Sequence, residues 1–338
     1  MNPALLIRLR PSTPWRIGPS SGARAEVSPV FHSDSLYSAV TLAFEQFGLL
    51  EEWLGVTSGT LSVPAVRFTS CFPWQRSLLY APPPAGLWPP AGISAKLRAK
   101  GATLLPTSVI ADLLEGKVPD ENDWVVDGHS GCLIPAGSRS SSGPFRFLIR
   151  SSVAVDRVTG GHVLPHSAQC VQFAPAAGLW CAAEFSSQTA YAVWAPRLES
   201  VFRLLADSGL GGMRSRGFGR SRGVDFRSGP LAEMLFGPAA RPAGGAWWTL
   251  SLVSPAATDD IHWDAGCYRL EQREGRVGSG AAAGSAKLAS RLVAEGSVLV
   301  AGHAPVGSSR DVAPAGSPHP IYRAGYAVAL PIAWPVTA

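Results

Sequence analysis

Leu5, Ile7 and Leu9 alternate along the first ten positions, the period-two pattern of a strand with one buried face. Past a Pro/Gly/Ser-rich stretch, Leu36, Val40, Ala43, Phe44 and Phe47 recur at helical spacing; Ser33 or Asp34 is the expected N-cap and Gly48 the stop. Pro106, Thr107 and Ser108 open a shorter helix that carries Val109, Ile110, Leu113 and Leu114 and ends near Gly116. Leu198, Val201, Phe202 and Leu205 repeat at i, i+3, i+4 and i+7 after Pro196, a residue suited to a helix's first turn. Strands are predicted at 145–158, 169–174 and 179–186. The run Val155-Asp156-Arg157-Val158-Thr159-Gly160 reads as a hairpin tip, where Asp156 and Arg157 fit either a local salt bridge or a contact with RNA. A helical Pro230–Phe236 and a Pro/Ala/Gly stretch over 237–245 divide the chain into domains of 1–236 and 237–338. The second domain shows strands at Trp247–Ser254, Cys267–Gln272, Ser297–Val300 and Tyr322–Pro331, with a low-complexity Gly275–Ala286 between them that is expected to be mobile.

With 338 residues, 46% hydrophobic and 16% charged, the chain has apolar material for two packed domains. No apolar run is long enough to span a membrane, and no signal peptide precedes the first strand, so a cytoplasmic protein is expected. The five cysteines, Cys71, Cys132, Cys170, Cys181 and Cys267, are scattered without a C-x-x-C pair and read as reduced thiols. A net charge of +5 is modest for a nucleic-acid binder, which makes its distribution decisive.

That charge concentrates in Ser208–Gly223 (SGLGGMRSRGFGRSRG). No acidic residue falls between Asp207 and Asp225, while Arg214, Arg216, Arg220 and Arg222 crowd into nine positions of a segment that carries six glycines. Glycines allow positive φ and close backbone approach, exposing main-chain N–H groups, and guanidinium forks donate in pairs to phosphate oxygens. The pattern is neither a Walker loop nor G-x-G-x-x-G, because Arg214 and Arg222 stand where the last glycine would fall. Arg216-Gly217-Phe218-Gly219 opens like an RNA-recognition motif, but Arg220-Ser221-Arg222 replaces its aromatic strand, so a loop is expected throughout.

Other chemistry is sparse. His32, Ser33 and Asp34 are consecutive and poorly disposed to act on one another as nucleophile, base and acid; a helix start that also receives phosphate is the alternative, and His32 as general base of a metal-independent ribonuclease is the rival. Asp259, Asp260 and His262 could hold a metal, but after Thr258 they fit the start of a helical turn better. Of eleven tryptophans, Trp15, Trp74 and Trp88 lie in loops where a base could stack, whereas Trp247 and Trp248 fit a core or an interface. No cofactor and no catalytic set are expected.

Taken in order, the first strand, Phe31-His32-Ser33-Asp34-Ser35-Leu36-Tyr37-Ser38-Ala39, the turn at Val155–Gly160 and Gly209–Arg220 resemble the fourth subunit of the type III-A CRISPR Csm complex, of the RAMP superfamily. The resemblance continues through Gly266–Leu270, Arg273-Glu274-Gly275, Glu295-Gly296-Ser297-Val298 and Ile321–Tyr326, spanning nearly the whole chain. It implies an α+β protein of two ferredoxin-like (RRM-like) domains, the second degenerate, with the glycine-rich RNA-binding loop packed on the sheet. It also implies a non-catalytic subunit that grips the repeat-derived 5′ tag of the crRNA and bridges the large polymerase/cyclase-like subunit to the first backbone RAMP subunit. Its alternative on the same fold is a Cas6-like endoribonuclease that processes repeat RNA. The implied RNA-binding positions are His32 and Ser33 at the helix start, Arg157 on the hairpin, and Gly211, Gly212, Arg214, Ser215, Arg216, Gly217, Phe218, Gly219 and Arg220 in the loop. Arg139, in the Gly/Ser-rich Ser138–Gly143 stretch, and Arg222 complete the set.

Overall fold

Strand β1 (Pro3–Pro11) forms where its alternation predicts, but it is buried on both faces: Leu5, Ile7 and Leu9 enter one core, Ala4 and Leu6 another. The computed structural model describes residues 2–18, 26–59, 63–90, 101–137, 142–155, 157–158, 163–238, 244–278 and 283–334. Beside β1 run β10 (Ala177–Phe185) and β11 (Ser221–Pro230), both antiparallel, with Ile7 opposite Cys181 and Phe226. β10 also pairs with β2 (Val66–Phe68) and β3 (Phe72–Gln75); β4 (Leu78–Ala81) and β5 (Leu105–Pro106) extend a seven-stranded antiparallel sheet. The unbroken apolar run of β10 follows from its position, since a strand covered on both faces has no side to leave polar.

The described helices are α1 (Ser33–Gln46), α2 (Leu50–Thr57), α3 (Thr107–Leu114), α4 (Gln188–Ser208) and α5 (Leu231–Phe236). α1, α2 and α4 cover the first face, where Trp53 packs against Phe44 and Trp194 with ring centroids 4.6 and 5.4 Å away. Each such ring pair adds about 0.5–1.5 kcal/mol beyond its burial. On the second face, α3, α5 and a three-stranded sheet from the C-terminal part close over Leu6, Phe72 and Trp180. That sheet has the order β15 (Val298–Val300), β12 (Ala246–Thr249), β18 (Ala329–Ile332), and contributes Val298, Trp248 and Leu330 to the shared core. The two parts of the chain therefore share one hydrophobic interior.

Several sequence expectations are corrected. α4 begins after Ser187, whose side chain accepts the Ala190 N–H, so Pro196 lies well inside the helix. The apolar stripe continues to both sides of Pro196, and burial of Trp194, Leu198, Val201 and Phe202 outweighs one missing backbone donor. Phe47 is 46% exposed and does not join the α1 stripe. β11 starts at Ser221, so Arg222 belongs to a strand. Trp15 and Trp74 are buried, the latter donating its indole N–H to the carbonyls of Leu9 and Leu179, so neither offers a face to a base. Trp88 is half-buried and donates to the Ala102 carbonyl.

The sequence pattern passed over the paired strands β6 (Trp124–Val126) and β7 (Leu133–Pro135). β8 (Phe145–Val155) and β9 (Val163–Phe173) form a long hairpin with Arg157 in its turn; Asp156, like Arg139, lies outside the described residues. In the C-terminal part, β13 (Leu270–Arg273) pairs with β14 (Ser290–Val293), and β16 (Gly307–Asp311) with β17 (Tyr322–Tyr326). The single strand predicted at Tyr322–Pro331 is thus two, β17 and β18, in different sheets. Residues 279–282 of the low-complexity stretch are outside the described set, and Arg276 and Ala286 pair across it.

Candidate nucleic-acid interface

The glycine loop is held by the segment that follows β1. Gly212 and Gly219 donate their N–H groups to the carbonyls of Arg16 and Pro14, Leu210 donates to Gly219, and Arg220 to Thr13 Oγ1. A Cβ on Gly211 would stand 2.6 Å from the Arg16 carbonyl oxygen, and one on Gly219 only 2.0 Å from that of Leu210. The glycines are therefore needed for protein-to-protein approach, and these four N–H groups are spent inside the fold. This corrects the expectation that the loop's main chain is free for a ligand. Its arginines are free of that constraint: Arg214, Arg216, Arg220 and Arg222 are exposed and, among the described residues, form no ion pair with a carboxylate. Arg214, Ser215 and Arg216 make a single 3-10 turn, with Arg216 against His166 Nε2 on the neighbouring hairpin. Gly217 and Phe218 are partly buried behind it.

At the start of α1 the cap is His32, not Ser33 or Asp34. Ser33 is buried; its hydroxyl accepts the Leu252 N–H at 3.0 Å and its own N–H donates to Ser70 Oγ at 2.8 Å. The expected contact of Ser33 with RNA is therefore corrected to a structural tie between the two parts of the chain. Asp34 is buried as well and receives a two-pronged guanidinium, Arg273 Nε at 3.1 Å and Nη2 at 2.9 Å, with Arg323 Nε 3.6 Å away. Burial alone would raise the Asp34 pKa, but the Arg273 charge and hydrogen bonds more than offset it and hold the carboxyl below its ordinary value.

His32 Nδ1 lies 2.8 Å from Glu295 Oε1, an oxygen that Ser70 Oγ also contacts. Burial pushes the imidazole pKa down and the Glu295 carboxylate pushes it up by more, so the net shift is upward; Glu295, buried but facing His32, shifts down. Asp259 accepts N–H groups from Ala256, Val306 and Gly307, which gives it a structural task. Among the described residues no group of three His, Cys, Asp or Glu side chains is placed to hold a metal.

Helix start and glycine loop meet. His32, Ser35 and Ser38 of the α1 end, Gly211, Gly212 and Arg214 of the loop, and Arg273 of β13 line one cleft of about 280 Å³. Arg157, Ser215, Arg216, Gly217, Phe218, Gly219, Arg220 and Arg222 do not line it; the four arginines among them are exposed. Arg273 escaped the sequence reading as a site residue. Its motif with Glu274 and Gly275 is visible, but nothing local announces a partner 239 positions earlier.

Comparison with known proteins bears on this geometry. No curated protein sequence matches the chain. The fold is similar to a chain in the crystal structure of a Csm1-Csm4 cassette in complex with cA4 (17% identity, TM-score 0.58). It is also similar to one in the crystal structure of the Csm3-Csm4 subcomplex in the type III-A CRISPR-Cas interference complex (14% identity, TM-score 0.61). Each likeness covers 98% of this chain and 99% of the other, and at these identities it establishes the mixed α/β fold with antiparallel sheets. Residues 243–332 match the CRISPR Csm4 C-terminal domain. That domain match completes the shared core, and the fold likeness runs through 98% of the chain's length.

Proposed function

We propose that this chain is a non-catalytic crRNA-binding subunit of a type III-A CRISPR effector complex, which grips the repeat-derived 5′ tag and joins a Csm1-type large subunit to a Csm3-type backbone subunit. The observation that carries the proposal is the shared cleft, where a helix start with His32 faces a glycine loop with Arg214. Phosphate contacts of this kind give affinity and register, and guide pairing reads the target. The upward-shifted His32 stays protonated further toward neutral pH, which suits a donor to phosphate.

The strand order β11-β1-β10-β2, with α1 and α4 on one face, supports reading 1–236 as a ferredoxin-like domain carrying insertions, with 237–338 as its degenerate counterpart. The partners are those named with the similar structures. Among the described residues no helix is long and apolar enough to cross a membrane.

Co-purification of the tagged chain from its native host, with sequencing of the bound RNA, tests the role. Mature guides sharing one repeat-derived 5′ end, together with a large subunit and repeated backbone subunits, are the expected result. Recovery of the chain alone on uncut precursor would replace this role with processing.

A further inference from the structure

The cleft is lined by a buried guanidinium that keeps one donor unmet. Arg273 is 4% exposed, and while its Nε and Nη2 bind Asp34, with Nη2 also reaching Ser35 Oγ, its Nη1 is buried without a hydrogen-bond partner. A guanidinium has five N–H donors, and leaving one buried corner unmet costs as much as the hydrogen bonds it forgoes. Asp34 is also the one buried carboxylate shared by Arg273 and Arg323, with Lys287 in its electrostatic reach. Arg323 satisfies its remaining donors on the carbonyls of Arg273 and Glu274 and on Ser290 Oγ, so it has no call on a ligand. Arg273 differs because it lines the cleft opposite Arg214.

Resting on the RNA-binding reading above, we propose that Arg273, from the C-terminal domain, is a direct ligand for one backbone phosphate of the bound RNA, held in the cleft between it, Arg214 and the start of α1. The guanidinium is pre-oriented by Asp34 and Ser35, so a phosphodiester oxygen meets a donor that pays little to be ordered. The grip on RNA then spans both halves of the chain: the N-terminal half supplies the loop and the helix, and the C-terminal half supplies the buried cation.

Binding of a fluorescein-labelled oligouridylate to the full chain tests this, with melting curves on every variant. Arg273→Gln is expected to weaken binding at least about tenfold, the worth of one charge-assisted hydrogen bond. It should also flatten the salt dependence by roughly 0.7, the slope of one phosphate on a single strand. Arg273→Lys keeps a charge for Asp34 but lacks the third corner, so it should restore the melting temperature and not the affinity. Ala39→Glu puts a negative charge on the cleft wall, one helical turn from Ser35 and at a position packed on the first core. It should weaken binding beyond any loss that its melting curve accounts for, and Arg323→Lys should leave the slope as it is.

Full rescue of affinity by Arg273→Lys together with unchanged binding in Ala39→Glu would make Arg273 purely structural and overturn the inference. If inorganic phosphate binds the wild type and not Ala39→Glu while oligouridylate binds both equally, the site takes a free anion and the RNA assignment falls. Loss of binding on removing the loop arginines, with none on either cleft variant, would refute this inference alone. No effect of the loop arginines either would refute the functional reading beneath it.

Discussion

Gly217 and Gly219 are two residues apart, share φ near +80° (82° and 80°), and differ in what surrounds them. A methyl group on Gly217 meets nothing within 4 Å, so Gly217→Ala should cost only the left-handed backbone strain, about 1–2 kcal/mol. The same change at Gly219 drives a Cβ to 2.0 Å from the Leu210 oxygen and 2.8 Å from its nitrogen, both backbone atoms that cannot swing aside. It therefore adds overpacking of about 1–3 kcal/mol and strains the hydrogen bond from Leu210 N–H to the Gly219 carbonyl, worth about 0.5–1.5 kcal/mol. The two alanine variants should differ by about 2–4 kcal/mol in urea unfolding at unchanged m. Leu210, Gly211 and Gly212 line the cleft, so Gly219→Ala should also lose RNA affinity while Gly217→Ala keeps it. Equal unfolding midpoints and equal affinities in the two variants would refute the reading of the loop as a strut pinned from within.

Removing Arg214, Arg216, Arg220 and Arg222 together should flatten the salt dependence of tag-RNA binding by up to about 3, and an unchanged slope would reject the loop as the grip. Asp34→Asn should cost about 3–5 kcal/mol in chemical denaturation, because it strands a buried Arg273. The folded-state pKa of Asp34 lies below its ordinary value, so its stabilisation is present above the unfolded carboxylate pKa and is lost as pH falls through the folded one; an acid limb as steep in Asp34→Asn as in the wild type would contradict this. His32 shifts the opposite way, so its contribution is complete below the ordinary imidazole pKa and fades as pH rises through the folded value; tag-RNA affinity should fall over the same rise, and should lose that dependence in His32→Gln. Repeat RNA incubated with the purified chain in EDTA should show no discrete product, and a cut abolished by His32→Ala would reinstate the nuclease.

The elements that rest on their own periodicity were legible from the chain: β1, the α1 stripe from Leu36 to Phe44, and the α4 stripe from Leu198 to Leu205. Spacing of apolar residues is a local quantity, and so is the crowding of four arginines into one glycine loop, which pointed to a polyanion before any fold was known. What stayed hidden depends on contacts between distant positions. Ser33 and Asp34 have the chemistry of caps, yet their partners Leu252 and Arg273 stand 219 and 239 residues away, and a long-range charge-assisted pair outcompetes a local cap. Trp15 and Trp74 sit in loop-like sequence and end in the core, because Trp15 packs into the first core after β1 and Trp74 lies on β3, a strand of the sheet itself. The chain alone determined the helices and strands whose apolar spacing is their own, and where the positive charge lies. Tertiary structure decided that the glycines serve the protein's own packing, that the two halves share one interior, and that Arg273 faces the cleft, since each is set by groups that only folding brings within hydrogen-bonding or van der Waals distance.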